Sequence, residues 1–116
     1  MEISGREHNS IHIISVTGRL DATTAPLLQS HFEGIVSAGK RWFLQDLQGV
    51  DYVSSGGLRV LLVMTKKVKA VEGGIALANL HPFVEDLLTM AGFGQLIPTA
   101  TSTQDAIELL EKGTAG

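Results

Sequence analysis

Short β-branched and aliphatic runs alternate along this chain with stretches whose apolar residues recur at helical spacing. That alternation restricts the fold more than any other feature. IHIISV, from Ile11 to Val16, has the composition of a buried strand. Glu2 to Glu7 reads as a weaker strand pairing with it, with His8-Asn9-Ser10 as the hairpin turn. Gly18 to Thr24 reads as a loop, Thr24 as a helix N-cap, and Pro26 sits in the first turn, where a missing N–H costs little. Leu28, Phe32, Ile35 and Val36 then share one helical face, and Gly39 ends the helix. RWFLQDL, from Arg41 to Leu47, is nearly continuous in apolar residues, as expected of a strand covered on both faces. A second helical stripe runs through Leu58, Leu61, Leu62, Thr65 and Val68. Lys66, Lys67 and Lys69 lie off it, near the end where cations complement the helix dipole. Gly73-Gly74 makes a turn into a third strand, IALANL. Pro82 opens a helix predicted to turn Phe83, Leu87 and Leu88 inward, and Gly92 stops it. Leu96 to Ala100 holds Pro98 and fits only an edge strand. Thr103 is the predicted cap of a last helix with Ala106, Ile107 and Leu110 buried.

The resulting order, β-β-α-β-α-β-α-(β)-α, predicts an α/β fold. Four or five strands form a mixed, mainly parallel sheet, about four helices lie mostly on one face, and the opening hairpin supplies the antiparallel strand. With 116 residues there is material for one domain and one core, assigned to residues 1–112 with a flexible tail at 113–116. A hydrophobic fraction of 44% excludes a disordered chain. A net charge of −3 gives no basic face, so no nucleic-acid partner is expected. Cysteine is absent, which removes disulfide and thiol chemistry. No apolar run has signal-peptide or membrane-spanning length, so a soluble, cytoplasmic domain without direct membrane insertion is expected.

Most catalytic chemistries lack their residues. His8, His12, His31 and His81 have no metal-ligand spacing and read as surface or turn residues. The serines of Ser54-Ser55-Gly56-Gly57 lack the glycine two residues upstream that a nucleophile elbow needs. Leu58-Arg59 follows the glycine pair where a phosphate-binding loop would have Lys-Ser/Thr. No enzyme, metal or cofactor is therefore expected. Two features remain. The Ser54–Gly57 junction stands at a predicted helix N-terminus, which attracts anions; the alternative is that a serine merely caps the helix. Gly18-Arg19-Leu20-Asp21 leaves a neighbouring strand at the same sheet edge, where parallel folds place their sites; the alternative is that Asp21 is a turn or capping residue.

Three motifs then fall into one pattern: Gly18-Arg19-Leu20-Asp21, DLQGVDYVSSGGL from Asp46 to Leu58, and ANLHPFVEDLLTMAGF from Ala78 to Phe93. Over nearly its whole length the chain resembles a STAS domain of the bacterial anti-sigma-factor antagonist type. The resemblance implies the STAS fold and a phosphoacceptor at Ser55, anchored on Gly57-Leu58. Ser54 then stands where the family often has aspartate, and Gly56 where it has serine or threonine. Asp21 matches the family's loop aspartate, and Asp21, Ser54, Ser55, Gly56 and Arg59 become the expected partner-binding residues. The partners implied are a serine kinase that is also an anti-sigma factor, bound only by the unphosphorylated domain, and a serine phosphatase that restores binding. On this reading the junction residues are small so that a partner can reach a hydroxyl. The alternative is a non-switching STAS scaffold in a signalling assembly or lipid-transport complex. The oligomeric state stays open.

Overall fold

The computed structural model describes residues 1–114. Its five strands are β1 (Glu2–His8), β2 (Ile11–Leu20), β3 (Trp42–Val53), β4 (Gly74–Ala78) and β5 (Thr99–Ala100). The helices are α1 (Ala25–Ser37), α2 (Ser55–Ala70), α3 (Pro82–Met90) and α4 (Thr103–Thr114), with a single 3-10 turn at Phe93–Gln95. The strands lie in the sheet in chain order. β1 and β2 form an antiparallel hairpin in which His8 faces Ile11, turning at Asn9 with φ 54°. Every later pair is parallel. The mixed, mainly parallel five-stranded sheet with four helices is the predicted architecture.

β2 and β3 run farther than their sequence predicted, to Leu20 and Val53. β3 pairs with β4 only from Trp42 to Asp46, whereas its pairing with β2 continues to Leu20 opposite Val53. Two register shifts, flanking Thr17, bend this extension. The far halves of β2 and β3 therefore project as a two-stranded ribbon. The inward residues Leu20, Val50 and Val53 are buried along it, which is why Gly18 to Leu20 are strand and not the predicted loop.

Alternation of side chains divides the sheet into two faces. α1, α2 and α3 pack on one, where Leu28, Phe32, Leu61, Val68, Val84 and Leu88 meet Ile14, Val16, Phe43, Leu47 and Leu77. Phe32 and Phe43 stack at 4.8 Å between centroids, tilted by 58°. α4 covers the other face, setting Ala106, Ile107 and Leu110 on Ile11, Ile13, Leu44, Ala76 and Ala78. Three of the four helices on one face match the expectation.

Details of the helices differ from the prediction. α2 buries Val60 and Met64 with Leu61, Thr65 and Val68, while Leu58 and Leu62 are half-buried, so the buried stripe is rotated slightly. In α3 the row Val84–Leu88 faces in, which swings Phe83 out to 54% exposure and leaves Leu87 half-buried. Ser102, not Thr103, caps α4: its hydroxyl accepts the Asp105 N–H at 3.0 Å. α4 continues through Gly113 and Thr114, where the tail was predicted to start; 115–116 lie outside the described residues. Among the described residues no helix is long and apolar enough to cross a membrane.

Candidate functional site

The site forms where the β2–β3 ribbon gives way to helices. The Ser54 N–H donates to the Leu20 carbonyl at 3.0 Å, which ties the two strand ends together. Ser54 is extended (φ −95°, ψ 178°), the conformation of an N-cap, and its carbonyl accepts the first helical bond from Leu58 N–H at 2.9 Å. Its side chain makes no capping bond, and Ser54 Oγ is buried without a hydrogen-bond partner among the described residues. Ser55 is the first residue of α2 and is exposed. Its position carries the unpaired N–H groups and partial positive charge of a helix N-terminus. Arg59, also exposed, follows one turn later on the same side of the helix.

The glycine pair also has a local packing explanation. A Cβ at Gly57 would lie 2.5 Å from the Leu20 carbonyl oxygen and 3.0 Å from Val53 Cγ1. One at Gly56 would lie 3.0 Å from Ala22 Cα. Both glycines thus let the start of α2 rest on the backbone of the neighbouring loop. Gly56, placed among the partner-binding candidates, is half-buried and turned toward Ala22.

Asp21 organises that neighbouring loop. Its Oδ1 accepts the Thr23 and Thr24 N–H groups at 3.0 and 3.1 Å, and its carbonyl accepts the Ala25 N–H at 2.7 Å. Thr24, the predicted cap, turns back instead: its hydroxyl donates to the Arg19 carbonyl at 2.6 Å and accepts the Asp21 N–H at 2.9 Å. Capping of the chain entering α1 therefore falls to Asp21. Arg19 stacks on Tyr52 of β3, 3.9 Å from the ring centroid, and reaches Asp21 Oδ2 at 3.7 Å. The Thr24 backbone N–H first, then the Thr23 N–H, the Thr24 hydroxyl and the Arg19 charge, hold the Asp21 carboxyl below its ordinary 3.8.

A folded-state value below the unfolded one means Asp21 stabilises the fold above pH 3.8 and loses that contribution as the pH falls through the lowered value. Asp21→Asn keeps an acceptor for the two N–H groups but loses the charge. Its urea midpoint should fall below the wild type's at neutral pH, and the gap should narrow as the pH is lowered below 3.8.

The structure thus brings Asp21, Ala22 and Ser54 to Gly56 together at one sheet edge, with Arg59 one turn along. Two histidines depart from the surface-or-turn reading: His12 and His31 are half-buried with Nε2 enclosed. His81 does act locally, accepting the Phe83 N–H through Nδ1 at 3.2 Å. No group of three metal-ligating side chains occurs among the described residues.

The family model of the STAS domain matches residues 2–106. The candidate anti-sigma factor antagonist BtrV of Bordetella bronchiseptica is 30% identical over 106 residues, 91% of each chain. The crystal structure of a candidate anti-sigma factor antagonist from Thermotoga maritima superposes with a TM-score of 0.89 at 18% identity, covering 94% of each chain. The Bacillus protein SpoIIAA superposes in its unphosphorylated form with a TM-score of 0.81 at 18% identity, covering 96% of this chain and 97% of that one. Its phosphorylated form gives 0.71 at the same identity, covering 92% and 97%.

Proposed function

The chain belongs to the STAS domain family, and on that premise we propose that it is an anti-sigma-factor antagonist switched by phosphorylation of Ser55. The observation that carries the reading is the exposed Ser55 hydroxyl at the first residue of α2, held beside the Asp21 loop by the Ser54–Leu20 hydrogen bond. SpoIIAA, solved in unphosphorylated and phosphorylated forms, supports it by fold similarity. The partner would be an anti-sigma factor with serine-kinase activity, docking over Asp21, Ser54, Ser55, Gly56 and Arg59. The protein itself would be the substrate of kinase and phosphatase, with no catalytic residue of its own.

The switch follows from electrostatics. The kinase transfers a phosphoryl group to Ser55 Oγ, which adds a charge of about −1.5 to −2. The helix N-terminus and Arg59 tolerate that charge, so the fold persists. The docked complex does not: a phosphate pressed into an interface built for a neutral hydroxyl is desolvated and unpaired there. A phosphatase that hydrolyses the phosphate restores the hydroxyl and the binding.

Ser54 in place of aspartate favours the second reading, a scaffold that does not switch. The test is incubation with the anti-sigma kinase encoded nearest to it, read by intact mass and peptide mapping. One phosphate on Ser55 is expected. Ser55→Ala should remove it and keep binding, Ser55→Asp should weaken binding at least tenfold, and Ser54→Ala should change neither. Phosphate on another residue would refute the assignment of Ser55. No modification, together with wild-type binding by Ser55→Asp, leaves the scaffold reading.

A further inference from the structure

His12 on β2 and His31 on α1 are far apart in sequence and of no recognisable spacing, yet the fold sets both imidazoles over Gly5 of β1. A Cβ placed at Gly5 would fall 2.8 Å from His12 Nε2 and 3.7 Å from His31 Nε2. The two nitrogens can be no farther apart than these distances together, 6.5 Å. Both are buried and without a hydrogen-bond partner among the described residues. A buried polar atom left unpaired is costly, and two that converge on one point call for a shared ligand.

The tautomer of His12 is set by its neighbour. His12 Nδ1 lies 2.6 Å from Glu7 Oε1, directly across the hairpin in register, and a carboxylate can only accept. Nδ1 therefore carries a proton, and in the neutral imidazole the lone pair is on Nε2. This is the carboxylate–histidine arrangement that orients metal-binding imidazoles. Glu7 is itself anchored by Lys40 at 3.5 Å. Phe43, 6.1 Å from the His12 ring, gives the site an apolar wall.

We infer that His12 and His31, seated over Gly5, form a two-histidine site for a borderline divalent transition ion, with Cu²⁺ bound more tightly than Ni²⁺ or Zn²⁺. Imidazole is the ligand these ions prefer, and the affinity order is the one expected of any nitrogen site. Two bonds of about 2.0–2.1 Å need the nitrogens about 3–4 Å apart, a separation inside that 6.5 Å limit. A bound ion would staple α1 to the β1–β2 hairpin, at the end of β2 opposite to Ser55.

Calorimetric titration of the tag-free protein with Cu²⁺ and Ni²⁺ tests this. One ion per chain is expected, with a rise in Tm at saturation. His12→Ala, His31→Ala and Gly5→Ala should each weaken binding at least tenfold, the last by driving a methyl into the His12 ring. Glu7→Gln should weaken it about tenfold. His8→Ala, on the opposite side of β1, should leave it unchanged. Electron paramagnetic resonance of the Cu²⁺-loaded wild type should show two imidazole nitrogens, a readout independent of whether any variant folds. Wild-type affinity in folded His12→Ala or His31→Ala, a spectrum with fewer than two imidazoles, or no stoichiometric binding would overturn the site.

Discussion

Leu61→Ala should lower the stability of the fold by roughly 2–5 kcal/mol, the range for truncating a fully buried leucine. Leu61 is 0% exposed, and it lies in the cluster that joins α2 to Phe43 and Leu47 of β3 and to Leu28 and Phe32 of α1. The lost methyl groups leave a cavity that three elements would have to close at once, and packed interiors relax only partly. Urea denaturation gives the measurement: a lower midpoint with an unchanged slope. Leu62→Ala is the internal comparison. Leu62 is half-buried, so its truncation should cost clearly less. If the two variants lose the same stability, the face assigned to α2 is wrong.

The second large effect is expected from adding a single carbon. Alanine at Gly57 would gain helix propensity, worth at most about 1 kcal/mol. Its methyl would meet the Leu20 carbonyl oxygen at 2.5 Å and Val53 at 3.0 Å. A strand carbonyl cannot rotate aside as a side chain can, so α2 must lift, and overpacking of this kind costs typically 1–3 kcal/mol. The clash wins. Lifting α2 also strains the Ser54–Leu20 hydrogen bond and shifts Ser55 relative to Asp21, so partner affinity should fall with stability. Gly34→Ala is the contrasting case. Gly34 is exposed within α1 and a Cβ there meets nothing within 4 Å, so that variant should gain about 0.5–1 kcal/mol. Denaturation midpoints moving in opposite directions for the two glycines would confirm the difference. A Gly57→Ala protein as stable as wild type would show that the junction is not tightly packed.

The strand and helix pattern was legible because it depends on local periodicity. Ile11, Ile13 and Ile14, and the row Ala106, Ile107 and Leu110, follow from burial on a pleat or a helix, and they are buried as predicted. The harder features are those that a partner element decides. Phe83 is the largest apolar residue in α3, yet Val84 and Leu88 take the core because the helix docks on that row. Thr24 has the right residue type for a cap, but Asp21, three residues earlier, reaches the free N–H groups first. The strand ends at Leu20 and Val53 depend on pairing between segments 33 residues apart, which no local window contains. Ser54 to Gly57 was identifiable as a junction, but its glycines face Leu20 and Ala22, a tertiary fact. The convergence of His12 and His31 left no trace in their spacing; only Glu7, opposite His12 across a predicted hairpin, offered a hint.

The order of strands across the sheet is the order in which the chain is written. As a nascent chain emerges from the ribosome, the β1–β2 hairpin can close from contacts a few residues apart, the least entropically demanding step. Each later strand then arrives at an open border made by the strand before it. No segment has to be inserted between two that are already zipped together, so synthesis and sheet growth can proceed in the same direction. The growing border is also the sticky one, since it exposes unpaired backbone groups while translation continues. β5 then covers Leu77 and Ala78 of that border.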